Sequence, residues 1–335
     1  MNKKETLKVL LSLIILFFFV LILISCASSI ENISPLKAKI IALDAGHGGT
    51  SQTDFYRVGP AGEREEWINL RVALMLRDLL ENRGAKVIMT RIDDSDMGLE
   101  DRARLAIEHK ADVFISIHHN ATADREVNFP IIYFHGNASE NTASVLLARQ
   151  VGRQLSNHLF AGDNLISIVS DHCIFPSGGT SVLRNTYGIP GIIGEASFFT
   201  NPDEEQRLKD ENYNRQEAQA YLEALELYFK GKIPAIKEKY KEVQVPPFKV
   251  FQEAERMRPE ARLWLEDYQN GKEFYEKDAL DTAYNLLTRS ARSFPDSYVA
   301  GDVHLLRAKI LERLDSMEAA NATYLRVKEF YLKKY

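Results

Sequence analysis

Four residues of this chain carry metal-ligating or acid–base chemistry where a fold could gather them. His47 stands in Asp44-Ala45-Gly46-His47-Gly48-Gly49, where an apolar run breaks into glycines. Glycines let a backbone turn sharply and approach a ligand closely. Glu65 opens a stretch with helical spacing, His118 and His119 close the run from Val113, and Glu195 follows Gly191–Gly194. Two imidazoles and one carboxylate, with a fourth position open, make a common catalytic zinc shell. A water in that position has its pKa lowered towards ~7. A further carboxylate that is not a ligand then takes the water's proton and passes it to a leaving group. Glu195, at the end of an apolar strand, suits that task. Adjacent residues of a strand point to opposite faces, so at most one of His118 and His119 easily faces such a site. Spacing alone leaves that choice open. There is no His-Glu-x-x-His helix, which excludes the thermolysin-type arrangement.

The elements that must position these residues alternate in type. Ala38–Leu43, Lys86–Thr90, Val113–His118 and Ile131–His135 read as strands, Val182–Leu183 as a short one and Gly191–Gly194 as a buried one. Glu65–Arg83, Leu99–His109, Thr142–Phe160 and Tyr213–Phe229 read as helices. Asn201 suits a helix N-cap, with Pro202 at the first helical position and acids in the first turn. This order implies an α/β domain of three layers, with a mostly parallel central sheet flanked by helices. Ligands of such sheets bind just beyond the carboxyl ends of strands. His47, the His118-His119 pair and Glu195 fall at three strand ends, and Glu65 starts the helix after the glycine-rich loop, so one rim can hold these chemical groups together.

The chain has 335 residues, which predicts two domains after processing. A net charge of −5 and the absence of a dense Lys/Arg stripe argue against a nucleic-acid partner. Lys3, Lys4 and Lys8 lead an apolar run from Val9 to Ile24, the pattern of an export signal. A permanent anchor helix is the competing interpretation, but Leu23-Ile24-Ser25-Cys26 resembles the lipobox of bacterial lipoproteins. That resemblance implies cleavage after residue 25, lipid on Cys26, and export to the cell envelope with membrane attachment through the lipid. Ala27 is not the aspartate associated with inner-membrane retention, so the outer membrane facing the periplasm is the expected location. Losing residues 1–25 removes three lysines and one glutamate and takes the net charge from −5 to −7. Cys173 then has no disulfide partner, and Asp171-His172-Cys173 reads as a loop with no metal or thiol role. Residues 26–37 read as a tether.

The stretches together resemble a known family. Asp44–Gly49, Glu65 with Asn69-Leu70, Thr90-Arg91 with Leu99 and Arg102, Ser116–Ala121, and Pro190 through Glu195 to Phe199-Thr200-Asn201 occur in the order found in zinc-dependent N-acetylmuramoyl-L-alanine amidases of bacterial cell-wall hydrolysis. The resemblance covers residues 38–230. It implies that His47, Glu65 and His118 bind a zinc ion and that Glu195 is the catalytic glutamate. It selects His118 over His119, and Glu65 over Glu63 and Glu66. Asp44 becomes a candidate for orienting a ligand histidine, against the plainer role of stabilising a turn. The implied substrate is peptidoglycan, cut between N-acetylmuramic acid and L-alanine. Ile107 and Ala196-Ser197 depart from the family pattern and bear on packing or substrate shape. The alternatives are an inactive peptidoglycan-binding lipoprotein and a zinc peptidase acting on the stem peptide.

Residues 231–260 read as a linker, since Val245-Pro246-Pro247-Phe248 cannot be regular helix. Residues 261–335 read as an all-α, helical-repeat-like module. Gly271, Phe274, Ala283, Leu287 and Pro295 fall at spacings that resemble a tetratricopeptide repeat. Ala308, Leu311, Ala320 and Tyr324 echo part of it, shifted by 37 residues. Two repeats are fewer than the three or so that stack stably alone. The module is therefore expected to pack on the first domain as a cap, or to bind a protein partner.

Overall fold

The computed structural model describes residues 34–49, 57–162, 165–256 and 258–332, besides the isolated positions 5 and 12. Cys26, the lipobox and most of the expected tether lie outside the described residues. No helix among the described residues is long and apolar enough to cross a membrane.

Among the described residues six strands form one sheet: β1 (Ile40–Ala45), β2 (Lys86–Met89), β3 (Val113–Asn120), β4 (Ile131–Phe134), β5 (Ser167–Ser170) and β6 (Gly191–Phe198). Their order is β2-β1-β3-β6-β4-β5. Among these described strands the β4–β6 pairing is antiparallel and the other four are parallel. The central strands are apolar on both faces, as a sheet covered on both sides requires.

The two faces sort by alternation along each strand. Ile41, Leu43, Ile115, Ile117, Ile132 and Ile192 join one core with α1 (Glu65–Glu81), α3 (Thr142–Leu159) and α6 (Glu211–Lys230). Ala42, Phe114, Ile131, Tyr133, Ile193 and Phe198 join a second core on the other face. Helix α1 contributes Ile68, Val72, Leu76 and Leu80, one stripe at a spacing of four. Helix α2 (Leu99–Glu108) packs on the second face, as does the short α4 (Ser181–Asn185).

Three local expectations are corrected. Val182 and Leu183 belong to α4 and not to a strand. Both sides of β6 are already paired, by β3 and β4, which leaves no sheet edge there for them. Strand β5 was not expected from its sequence, Ser167-Ile168-Val169-Ser170, whose polar ends and short length give no periodic signal. Strand β6 runs on to Phe198, so Glu195 lies inside a strand and not past its end. Helix α5 (Pro202–Leu208) starts as expected, with the Asn201 side chain accepting from the Glu204 N–H.

The C-terminal region is helical: α7 (Glu253–Arg256), α8 (Trp264–Glu276), α9 (Leu280–Ser293), α10 (Ala300–Arg313) and α11 (Met317–Phe330). From α8 onward this region shares the second core with the sheet, where Trp264, Leu287, Phe294, Val303 and Phe330 continue Phe114, Phe129, Tyr133, Val169 and Phe198. Past α11 the chain lies along β5: Tyr331 bridges to Val169, and the Leu332 N–H donates to the Ile168 carbonyl at 3.1 Å. That cover blunts an edge strand that would otherwise offer unpaired backbone groups.

Candidate active site

Strand β1 delivers the glycine-rich loop, and its backbone is specialised there. His47 has φ of 60°, a left-handed conformation unusual outside glycine. Arg91 and Arg102 hold it by capturing carbonyls: Arg91 Nε donates to Ala45 O at 2.7 Å, and Arg102 Nη2 to His47 O at 2.7 Å. Backbone strain of this kind persists only where the surroundings over-determine it. Gly46 is required for space, because a Cβ there would lie 2.3 Å from the His118 ring.

His47, Glu65 and His118 come together. His47 Nε2 lies 3.1 Å and His118 Nδ1 3.0 Å from the same carboxylate oxygen, Glu65 Oε1. The two rings meet edge to face, with centroids 4.7 Å apart. Each residue offers one ligand atom, and all three atoms lie within 4.8 Å of one another. Glu65 sits at the first position of α1, close to the loop that carries His47. Burial would raise the Glu65 carboxyl, but the His47 and His118 rings hold it well below the usual carboxylate range. Burial pushes His47 below its ordinary value, with Glu65 opposing. Burial also acts to lower His118, yet Glu65, Glu195 and Asp44 outweigh it and the net shift is upward.

His118 and His119 do face opposite ways. His118 shares its face with Ser116, and its Nε2 lies 3.0 Å from Ser116 Oγ. Ser116 in turn donates to Asp44 Oδ2 at 2.6 Å. Asp44 also accepts from Arg102 at 2.7 Å and Thr90 at 2.8 Å. Although burial opposes it, the Arg102 guanidinium and these hydroxyls hold the Asp44 carboxyl below its ordinary value. Asp44 thus contacts Ser116, whose Oγ lies beside the His118 ring.

His119 enters the opposite core. Its Nδ1 lies 2.9 Å from Asn69 Oδ1 and its Nε2 3.0 Å from Glu217 Oε2. Asn69 Nδ2 donates to Gly46 O at 3.2 Å and to Glu65 Oε1 at 3.3 Å. A line of contacts thus runs from α6 through His119 to Glu65. In the sequence Ser116 and Asn69 were named only as parts of motifs, with no role, and Glu217 was not singled out. Asn69 carries a weak signal, four residues after Glu65 on one helix face; Glu217 carries none, being distant in the chain.

Glu195 pairs across from His118 in the β3–β6 register, beside a local irregularity. Its Oε2 is buried with no hydrogen-bond partner among the described residues. Burial pushes its carboxyl up to about 7, against the pull of His118. A carboxyl poised near neutral pH can both take and return a proton.

The donor set fits a zinc ion. Two imidazole nitrogens and a carboxylate oxygen are preferred zinc ligands, and the Glu65 contacts at 3.0 and 3.1 Å approach the about 3.3 Å edge of a tetrahedron with zinc-length bonds. Cys26, the expected lipidation site, is outside the described residues. Cys173 is buried, and burial pushes its thiol up to about 12, too high for a reactive thiolate.

Comparison with known proteins gives a consistent picture. Residues 41–227 match the family of N-acetylmuramoyl-L-alanine amidases. The probable cell wall amidase LytH of Staphylococcus epidermidis is 32% identical over 197 residues, covering 58% of this chain and 60% of that protein. The chain thus spans about 60% of the length of the curated relatives it matches. Among solved structures, an N-acetylmuramoyl-L-alanine amidase from Clostridium difficile 630 superposes with a TM-score of 0.50 and 28% identity, covering 58% of this chain and 99% of that one. The CwlD amidase of Clostridioides difficile, solved in complex with the GerS lipoprotein, gives 0.50 and 26%, covering 57% and 98%.

Proposed function

The chain belongs to the N-acetylmuramoyl-L-alanine amidase family, and on that premise we propose that it hydrolyses the amide between N-acetylmuramic acid and L-alanine in peptidoglycan, with zinc as cofactor. The observation that carries this reading is the convergence of His47 Nε2 and His118 Nδ1 on Glu65 Oε1, with Glu195 facing His118 across the strands. His47, Glu65 and His118 would hold the metal. When bound, zinc supplies Lewis acidity toward a carbonyl and lowers the pKa of a water towards ~7.

The remaining work falls to the chain's own residues. Ser116 accepts from His118 Nε2, which leaves Nδ1 with its lone pair for a ligand. Asp44 holds that serine, and Asn69 holds Glu65. Glu195 takes the proton of the attacking water and delivers it to the departing L-alanine nitrogen. Its unpartnered oxygen is free for that exchange.

Around this core we place the chain in the cell envelope, attached through lipid on Cys26, with residues 1–25 as a signal and residues 38–230 as the catalytic unit. Residues 261–335 would be a tetratricopeptide-like module whose role is support or a protein partner. The GerS complex of CwlD supports the idea that such enzymes take partners.

The test is digestion of purified peptidoglycan, with products identified by mass spectrometry. Stem peptides beginning with L-alanine, lost on chelation and restored by zinc, are expected. Cuts inside the stem peptide would make the protein a peptidase. Zinc binding with no product under any condition would make it a binding protein.

A further inference from the structure

We propose that His135, Asp171 and His172 form a second divalent-cation site, of zinc type, at the end of the sheet away from His47. Its position follows from topology. His135 comes directly after β4, and Asp171 and His172 directly after β5, and β4 runs antiparallel to β6. The carboxyl ends of β4 and β5 therefore face opposite to the rim that carries His47. One ligand atom from each residue lies within 4.8 Å of those of the other two.

The hydrogen bonds leave an unmet demand. His135 Nδ1 lies 2.8 Å from Asp171 Oδ2. His118 Nδ1 and Glu65 Oε1 show the same apposition of ring nitrogen and carboxylate oxygen at the first site. The Thr180 N–H and hydroxyl donate to the same Oδ2 at 2.8 and 2.9 Å, which saturates it. Asp171 Oδ1 and His135 Nε2 are then left buried, with no hydrogen-bond partner among the described residues. His172 Nε2 stands 4.0 Å from Asp171 Oδ1 and takes the Tyr240 hydroxyl at 3.1 Å. A buried carboxylate oxygen and a buried ring nitrogen without partners are costly unless something positive sits beside them. Imidazole with carboxylate is a donor set that suits zinc.

The residues around the trio say what the ion would do. Tyr240 belongs to the segment between α6 and α7, and the Phe330 ring of α11 lies edge-on to His172 at 5.6 Å. An ion here would fasten that segment and the last helix to the β4–β5 edge, a structural role remote from catalysis. Lys239 is the built-in competitor. Its ammonium lies over the Tyr187 and Tyr240 rings at 5.6 and 5.0 Å.

The inference does not rest on the amidase reading, and its test separates the two. The full chain carrying His47→Ala and His118→Ala is stripped of metal and titrated with zinc alone. Metal content and the thermal midpoint are followed. The expected result is one retained zinc and a raised midpoint, both lost when His172→Ala is added. Lys239→Met should tighten that zinc by roughly tenfold, since it removes a neighbouring positive charge. This arm decides the matter if His172→Ala does not fold. A double variant that holds no zinc, zinc indifferent to both His172 and Lys239, or a water in place of a metal in a zinc-soaked crystal would overturn the proposal. Failure of the catalytic-site reading looks different: the wild type and the double variant would then hold the same single zinc.

Discussion

Ser116 gives its hydroxyl proton to Asp44 at 2.6 Å, and this leaves its oxygen to accept from His118 Nε2 at 3.0 Å. One side chain thereby sets both the angle and the tautomer of a proposed ligand. Ser116→Ala removes that link while keeping the fold, since the change is small and internal. Partners of this kind are worth about 10–100-fold in metal affinity. Zinc affinity, measured by competition with a chelating dye, should fall by that order. An unchanged affinity would show that Asp44 and Ser116 only stabilise the turn.

Gly46→Ala should empty the same site by steric means. The added methyl would sit 2.3 Å from His118 Cε1 and Nε2, closer than any real contact. The His118 ring must shift from its present place. The expected outcome is a protein with an unchanged far-ultraviolet circular dichroism spectrum that no longer retains zinc at this site or cuts peptidoglycan.

Glu195 should make the metal-free protein less stable as pH rises. Burial lifts its carboxyl from 4.5 to about 7 in the folded state. Below the lower value both states hold the proton and nothing is lost. Between the two values the unfolded chain releases its proton first, and the penalty grows. Above about 7 it is complete, at roughly 3 kcal/mol for a shift of this size. Glu195→Gln should therefore raise the thermal midpoint of the stripped protein at pH 8 and leave it nearly unchanged at pH 4. An equal effect at both pH values would contradict this origin.

Trp264 tests how the helical region is attached. It is 2% exposed, stacks edge-on to Phe294 at 4.9 Å, and points its N–H at Asp124 at 3.3 Å, in the β3–β4 loop. Trp264→Ala should cost about 3–5 kcal/mol. Because the second core runs without a break from sheet to helices, urea unfolding followed by circular dichroism and by activity should show one transition, moved as a whole. Two separated transitions would mean the helices fold on their own.

The candidate rim was legible in the sequence because its residues are local to sharp signals. His47 follows an apolar run into glycines, and Glu65 opens a clear helix. The pair His118-His119 was readable only to the point of choosing a face, since alternation says that they diverge but not which one enters the site. The structure shows what each does: His118 shares its face with Ser116, while His119 reaches Glu217, 98 positions away. Such long-range partners leave no local pattern. The same limit applies to Asp171 and His172, whose nearness to His135 comes from another strand and leaves no local pattern. It also explains Val182 and Leu183, where burial was readable but the lack of a free strand edge was not.

The central claim is that Glu195 moves the proton while His47, Glu65 and His118 hold the metal. One preparation of Glu195→Ala answers it, assayed together for zinc content and for release of L-alanine-terminated stem peptides from peptidoglycan. The account predicts the zinc content of the wild type and no detectable release. Full release with zinc in place would contradict it, because the proton would then be carried by some other group.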